Sequence, residues 1–432
     1  MLTPLKPRKY QLESIARAQG QNLLVADDCG LGKTLTAIEA ARLLMAHPGP
    51  NKTLIVCPLK VREQWIEQIQ NQDDQPIYAL NSMEVNLRGV SGWFIIHYDA
   101  LDKASYLTKY FWSVLIADEA HRLRNRNNRW TKAIKRITSA RVIALTATPM
   151  DRLPSEYWSL LDFLSVPRLP KFNGFKAKYE NWNMKARYPI YIGPKNIDKL
   201  QSLLGGVMVK HTKAGVVPEL PPHIIIPTSV EMSVTQTEAF NQIDFAEDII
   251  VPVTGIDDLI IQNALVKLVR LQQVGTDPSL LDIEAPSGKI EWLDEFLEDH
   301  PTQKVVVFTK WRHTALCLAQ RYSSALVIGG REPEGLEDFK QGDQKVLVGT
   351  IAGMGLGLDL PMATYSVFLD MEWSTLQMQQ AYDRIHRMNI TEPKVTYLLM
   401  ANRVDTLIYK AVLHKWSEIE LITAFLQGPC NT

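Results

Sequence analysis

Residues 26–34 read Ala-Asp-Asp-Cys-Gly-Leu-Gly-Lys-Thr, and residues 116–121 read Ile-Ala-Asp-Glu-Ala-His. The chemistry these types and spacings serve is hydrolysis of a nucleoside triphosphate. Gly30 and Gly32 let the backbone bend close to phosphates, and the first amides of a following helix point at them. Lys33 reaches the terminal phosphates, and the Thr34 hydroxyl is a magnesium ligand. Asp118 would hold the same metal, directly or through water, and Glu119 would orient and deprotonate the attacking water. Asp27 stands where the general phosphate loop begins with glycine, so the generic pattern is imperfect. The bland alternatives are a glycine-rich helix cap and a solvated acidic turn; the pairing of the two segments argues against both.

Two kinds of element must position these groups. Asn22-Leu23-Leu24-Val25-Ala26 and Val114-Leu115-Ile116-Ala117 are short apolar runs, the pattern of strands buried on both faces. A helical pattern follows Thr34 and stops at His47-Pro48-Gly49. Both segments therefore sit at the carboxyl ends of strands, where open α/β sheets bind ligands.

Strand-like runs alternating with helical patterns fall in two clusters. The first is 22–26, 54–57, 93–97, 114–117 and 142–146; the second is 304–308, 325–328, 345–349, 366–369 and 395–400. Such alternation predicts parallel sheets covered by helices. The expected fold is α/β, with two parallel-sheet lobes and helical insertions between them, and its phosphate loop gives it a resemblance to RecA-like lobes. The expected boundaries are lobe one at 1–165, helical protrusions and a linker at 166–286, and lobe two at 287–432. The linker is the proline-rich stretch from Pro218 through Pro221 and Pro222 to Pro227, read as a stiff extended link. An aromatic and basic stretch, 171–188, lies in the middle segment; its aromatics either pack a protrusion or stack exposed bases.

The 432 residues carry 47 basic and 47 acidic side chains, so any grip on nucleic acid must come from local patches. Cys29, Cys57, Cys317 and Cys430 show no metal-ligand spacing, which excludes a zinc site or a disulfide scaffold and fits a reducing cytosol. The N-terminal residues carry no signal-peptide core, and no apolar stretch is long enough to span a bilayer. A soluble intracellular protein is expected.

Only the first cluster has a phosphate loop. The second offers Gln380-Ala381-Tyr382-Asp383-Arg384-Ile385-His386-Arg387. Arg384 and Arg387 are three apart, so on a helix they share a face. Guanidinium groups suit the charge that spreads onto a transferring phosphoryl group. If the lobes close over the nucleotide, both arginines reach it from the far side. The alternative is a solvated basic face partnered by Asp383.

In order from about residue 5 to residue 410, the chain resembles superfamily-two helicase-like ATPases, and within them the Swi/Snf-type translocases of double-stranded DNA in a minimal two-lobe form. Tyr10-Gln11 is similar to the adenine-reading glutamine motif, and Asp27 to Thr34 to motif I. Leu54 to Leu59 followed by Trp65 resembles motif Ia. Asp118 to Asn125, a DEAH box, resembles motif II, and Leu145 to Pro149 motif III. Ser287-Gly288-Lys289 resembles the entry to lobe two, Val305 to Phe308 motif IV, and Thr350 to Leu360 motif V. Asp370, Trp373 and Gln380 keep the family's spacing into motif VI, with Arg384 and Arg387 at its arginine-finger positions. Departures are Lys9 for proline, Ala147 with Met150-Asp151-Arg152 in motif III, Gly353-Met354 in motif V and Met388-Asn389 in motif VI; none removes a phosphate, magnesium or water ligand.

With the residue reading, the resemblance implies ATP and Mg2+ as cofactors. ATP contacts fall to Gln11, Asp28, Gly30, Leu31, Gly32, Lys33, Thr34 and Gly357. Thr34 and Asp118 hold the metal, and Lys33, Asp118, Glu119, Arg384 and Arg387 carry catalysis. For nucleic acid the candidates are Arg122 and Arg124, from a run with no acidic residue between 122 and 136, together with Thr350 and Trp373. No set of residues suggests base readout, so contact is expected with the duplex backbone, salt-sensitive and independent of sequence. The expected activity is ATP-driven translocation on double-stranded DNA. Alternatives are a helicase that separates or anneals DNA or RNA strands, and a motor subunit of a nuclease complex. Replication, repair or nuclease proteins are candidate partners, and a membrane is not. The expected location is the cytoplasm, on a nucleoid or as a viral protein in a host cell, or the nucleus of a eukaryote.

Overall fold

The computed structural model describes residues 4–46, 51–150, 153–183, 190–245, 250–253, 256–260, 264–329, 335–354, 358–388, 390–410 and 412–413. The chain divides between Pro218 and Glu219 into two compact units.

The first unit opens with helix α1 (Lys9–Gly20), strand β1 (Leu23–Val25) and helix α2 (Lys33–Met45). β2 (Lys52–Cys57), helix α3 (Arg62–Gln70), β3 (Ile77–Ala79), β4 (Gly92–His97), β5 (Phe111–Ala117) and β6 (Thr138–Leu145) follow. A hairpin of β7 (Glu180–Asn183) and β8 (Ile190–Pro194) stands apart, and β9 (Met208–Val209) returns to the sheet. The order across the sheet is β3-β4-β2-β5-β6-β1-β9, with every pairing parallel. Alternate side chains enter separate cores on the two faces: Leu24, Leu54 and Val56 join one, and Leu23, Val25, Ile55 and Cys57 the other. Strands buried on both faces must read as unbroken apolar runs, which is why they were visible in the sequence.

The second unit holds β10 (His223–Ser229), a two-stranded ribbon of β11 (Ile250–Val253) and β12 (Ile256–Ile260), then β13 (Val305–Thr309), β14 (Ala325–Val327), β15 (Val346–Thr350), β16 (Tyr365–Phe368) and β17 (Lys394–Met400). Its main sheet runs β10-β17-β16-β13-β15-β14, also all parallel. Lys289, fully buried, donates to the Leu369 carbonyl at 2.7 Å and pairs with Asp405 at 2.8 Å. That fastens the Ser287-Gly288-Lys289 helix start to the sheet.

All ten expected runs are strands, but two expectations change. The proline-rich link ends at Pro222, because residues 223–229 form β10, pairing along its length with β17. Pro227 sits opposite Leu398 within that strand. β10 is the last strand of its sheet, so an outward position without an N–H costs no ladder bond. The middle segment is also shared between the units. Phe175, Tyr179, Leu200 and Leu204 pack into the first unit's core, whereas Phe240, Ile243, Leu271 and Val274 pack into the second. Within the aromatic and basic stretch, Phe175 and Tyr179 are buried in the first unit's core and so are not offered to bases; residues 184–189 lie outside the described set. Among the described residues no helix is long and apolar enough to cross a membrane.

Candidate functional site

Five neighbouring strands of the first sheet, β2, β5, β6, β1 and β9, end side by side, and the segments after them build the site. After β1 the chain turns through Gly30 (φ 83°) and Gly32 (φ 70°) into α2. A side chain at Gly32 would be strained, because L residues rarely adopt its backbone, and its Cβ would lie 2.7 Å from Nε2 of Gln11, displacing that side chain. The Lys33 ammonium donates to the carbonyls of Asp27 at 2.8 Å and Asp28 at 3.1 Å. Gln11 is tied to the same loop, its Nε2 donating to Leu31 O at 3.3 Å and Gly32 O at 3.1 Å while Oε1 accepts from the Arg8 N–H at 2.8 Å. Tyr10 donates to Leu31 O at 2.8 Å, and burial pushes its hydroxyl up to about 12.

After β5 come Asp118 and Glu119. Asp118 Oδ2 accepts from the Trp65 indole of α3 at 2.8 Å, and Oδ1 from the Glu119 N–H at 2.9 Å. The Tyr98 hydroxyl donates to the Asp118 carbonyl at 2.7 Å. Burial, then the Glu119 charge, raise the Asp118 carboxyl to about 6; the Trp65 and Glu119 hydrogen bonds and Lys33 act the other way. Glu119 takes a left-handed conformation (φ 48°), a strained state that recurs at functional sites. Its Oε2 lies 3.0 Å from Nδ1 of His121, which is 3.4 Å from the Thr146 hydroxyl after β6.

The raised Asp118 carboxyl has a consequence for stability. Raised above its unfolded value, it contributes stability fully at low pH, and that contribution is lost as the pH climbs through about 6. At neutral pH its charge therefore opposes folding until a cation offsets it. Asp118→Asn should stabilise the nucleotide-free protein by about 1–3 kcal/mol near pH 7.5, the gain shrinking toward pH 5. Thermal denaturation of both proteins in chelator, across that range, checks this; an Asn variant melting lower at pH 7.5 contradicts it.

The same carboxylate is the test of metal fit. A buried acid held by two donors and disfavoured in its charged form suits magnesium, which takes one or two carboxylates and completes its shell with phosphate and water. Among the described residues no group of three or more His, Cys, Asp or Glu could hold a metal by itself.

In the second unit the helix Thr375–Tyr382 stops before the arginine pair, so Arg384 and Arg387 do not share a helical face as expected. The turn frees the Arg384 carbonyl to accept from Leu360 N at 3.0 Å. The guanidinium groups still converge: Arg384 donates to Leu358 O at 2.9 Å and Arg387 to the same atom at 3.4 Å. Arg387 pairs with Asp359 rather than with Asp383. Thr350 ends β15, buried, its hydroxyl accepting from Gly353 N at 3.0 Å; Trp373 is half-buried against the core. Gly357 lies outside the described residues.

The basic run after Asp118 is broken into separate partnerships. Arg122 lies 5.6 Å from both the Tyr98 and Trp130 rings. Arg124 pairs with Glu156 at 3.1 Å, and Lys135 with Asp162 at 2.7 Å. Arg126 covers the Phe172 ring at 4.4 Å. Residues that the sequence reading gave no role also enter the site: Trp65 and Tyr98 on Asp118, His121 on Glu119, and Lys210, His211 and Lys213 after β9. Lys213 N donates to Asp28 Oδ2 at 3.0 Å.

A phosphate loop and an Asp-Glu-Ala-His turn on one parallel sheet, with a second parallel-sheet unit carrying paired arginines, make up the two-unit architecture of helicase-like proteins. The chain belongs to the SNF2-related family: the SNF2-related domain matches residues 11–280, more than half of the chain, and the helicase conserved C-terminal domain matches residues 288–389. A mouse relative, SWI/SNF-related matrix-associated actin-dependent regulator of chromatin subfamily A member 1, is 24% identical over 92% of this chain and 42% of its own length. A zebrafish relative, Chromodomain-helicase-DNA-binding protein 1-like, is 26% identical over 94% of this chain and 43% of its own. The chain thus spans less than half the length of these curated relatives. The solved SWI2/SNF2 ATPase core of Sulfolobus solfataricus in complex with dsDNA is 22% identical, with a TM-score of 0.49 over 98% of this chain and 97% of that one.

Proposed function

We propose that the protein is an ATP hydrolase that uses each hydrolysis to move along double-stranded DNA, displacing what is bound there. One observation carries the reading: the phosphate loop and the Asp118-Glu119 pair lie at the carboxyl ends of β1 and β5, separated only by β6. Lys33 would exchange its two loop carbonyls for the β- and γ-phosphates. Thr34 and Asp118 would hold magnesium, which neutralises the phosphate charge that develops on transfer. Glu119, steered by His121, would orient the water and take its proton. Gln11 and Tyr10 support the loop from α1. Arg384 and Arg387 would complete the site from the second unit when the units close, so that hydrolysis is tied to their relative movement.

DNA as the track is supported by the family and by the chromatin and DNA-binding words in the relatives' names. Arg122, Thr350 and Trp373 remain proposed contacts; Arg124 is a weaker one, since Glu156 already engages it. Proteins of replication, repair or nuclease complexes are proposed partners.

ATPase rate against duplex DNA, single-stranded DNA and RNA, repeated across a salt series, tests the reading. Duplex should stimulate most, and the stimulation should fall steeply with salt. Equal rates with and without every nucleic acid would sink it. Release of a triplex-forming strand without duplex opening would separate translocation from strand separation.

A further inference from the structure

β9 is only two residues long, yet the side chains after it reach across the end of β1 to the phosphate loop. His211 closes on Asp27 twice: the backbone N–H donates to Oδ1 at 2.9 Å, and ring Nδ1 lies 2.8 Å from the same oxygen. Asp27 is fully buried, and its Oδ2 has no partner among the described residues. Lys210, 10% exposed, places its ammonium 3.3 Å from Asp28 Oδ1 and 3.3 Å from the Ala147 carbonyl. Asp27 and Asp28 are also the residues whose carbonyls hold the Lys33 ammonium.

We propose that Lys210 and His211 are positioning residues for the phosphate loop, setting through Asp28 and Asp27 how tightly it holds a nucleoside triphosphate. This rests on the nucleotide-site reading above. The carboxylates that they grip belong to the residues whose backbone oxygens define where Lys33 rests. A loop released from either grip can rotate those carbonyls, and Lys33 then loses its aim at the phosphates. Lys210 also ties the loop after β6 to the loop after β1, so two site segments are held in register by one cation. In Asp27 the carboxylate takes the place of the leading glycine of the general phosphate loop. The side chain that glycine lacks is here the handle by which the loop is fixed.

The grip is expected to weaken with rising pH. The charged groups facing the His211 ring are Asp27 and, at 4.0 Å, Glu13 of α1; the Tyr10 ring packs at 5.2 Å and stays neutral. The hydrogen bond to Asp27 holds the imidazole above its ordinary value against the opposing effect of burial. Protonated His211 therefore secures Asp27 at low pH, and the charge is lost as the pH rises through its raised value.

The test is calorimetric binding of ADP and a non-hydrolysable ATP analogue to the full chain. His211→Asn, Asp27→Asn, the two together, and Lys210→Met should each raise Kd about tenfold, equivalent to about 1.4 kcal/mol. The double variant should be no weaker than either single one, because the two act through one contact. At saturating ATP, kcat should change less than Kd. Kd of the parent should rise as the pH climbs above the ordinary imidazole value of 6.5, and that of His211→Asn should rise less. Folded variants that bind within twofold of the parent, with only a lower melting temperature, would overturn the proposal. If a variant does not fold, the parent decides alone: a Kd flat across that pH range overturns it. Failure of the parent to bind nucleotide, with Lys33→Ala making no difference, would instead sink the nucleotide-site reading.

Discussion

Glu119→Gln is expected to lower ATP hydrolysis by about 10²–10⁴-fold while leaving ATP affinity near that of the parent. The change removes only the basicity needed to accept a proton from water. A glutamine oxygen still accepts from His121, which lies 3.0 Å from Glu119 Oε2, so the side chain keeps its position. The left-handed backbone at position 119 is no harder for glutamine than for glutamate. Single-turnover hydrolysis and equilibrium binding of ATP, measured side by side, separate the two effects. Turnover within tenfold of the parent would transfer the base role to another group.

Arg387→Ala is expected to cost about 10³-fold or more in turnover with little change in nucleotide binding, the signature of a group that meets the transferring phosphoryl only late. Misfolding is a poor explanation for such a loss. The ion-pair partner, Asp359, has a side chain 57% exposed, so removing the arginine leaves a carboxylate that water can solvate. Arg387 Nε is buried with no partner among the described residues, which leaves the guanidinium one unused donor for a ligand. Arg384 is more deeply built in, donating to Leu358 O at 2.9 Å, so Arg384→Ala should lose stability as well as rate. Burst kinetics together with a melting curve distinguish the pair. Normal hydrolysis by Arg387→Ala removes the finger assignment and with it the proposed tie between hydrolysis and closure.

The sequence carried the central sheet strands well because they are buried on both faces, so that burial wrote itself as runs such as Val305-Val306-Val307-Phe308. It carried poorly whatever depends on an edge or on very few residues. β3 is a largely exposed edge strand of three residues, β9 has two, and β10 contains a proline that only an edge tolerates. The proposed nucleotide site divides along the same line. Local segments such as Gly30 to Thr34 declare their chemistry in consecutive residues. Trp65 on Asp118 is a contact across 53 positions, and His211 on Asp27 one across 184. Nothing in spacing announces such pairs; the sheet order creates them. The arginine pair shows the opposite error, where a helical spacing was real but the helix ended at Tyr382.

The placement of β9 bears on how the chain is made. β1 is flanked by β6 on one side and by the edge strand β9 on the other, so one edge of the sheet stays uncovered until residues 208–209 arrive. During synthesis the ribosome must deliver more than 180 residues after Val25 before that edge is covered. Until then the outer rim of β1 presents unpaired amides and carbonyls to any passing strand. A nascent or truncated chain ending short of Met208 should therefore be sticky, and should gain nucleotide affinity only once that late strand has docked.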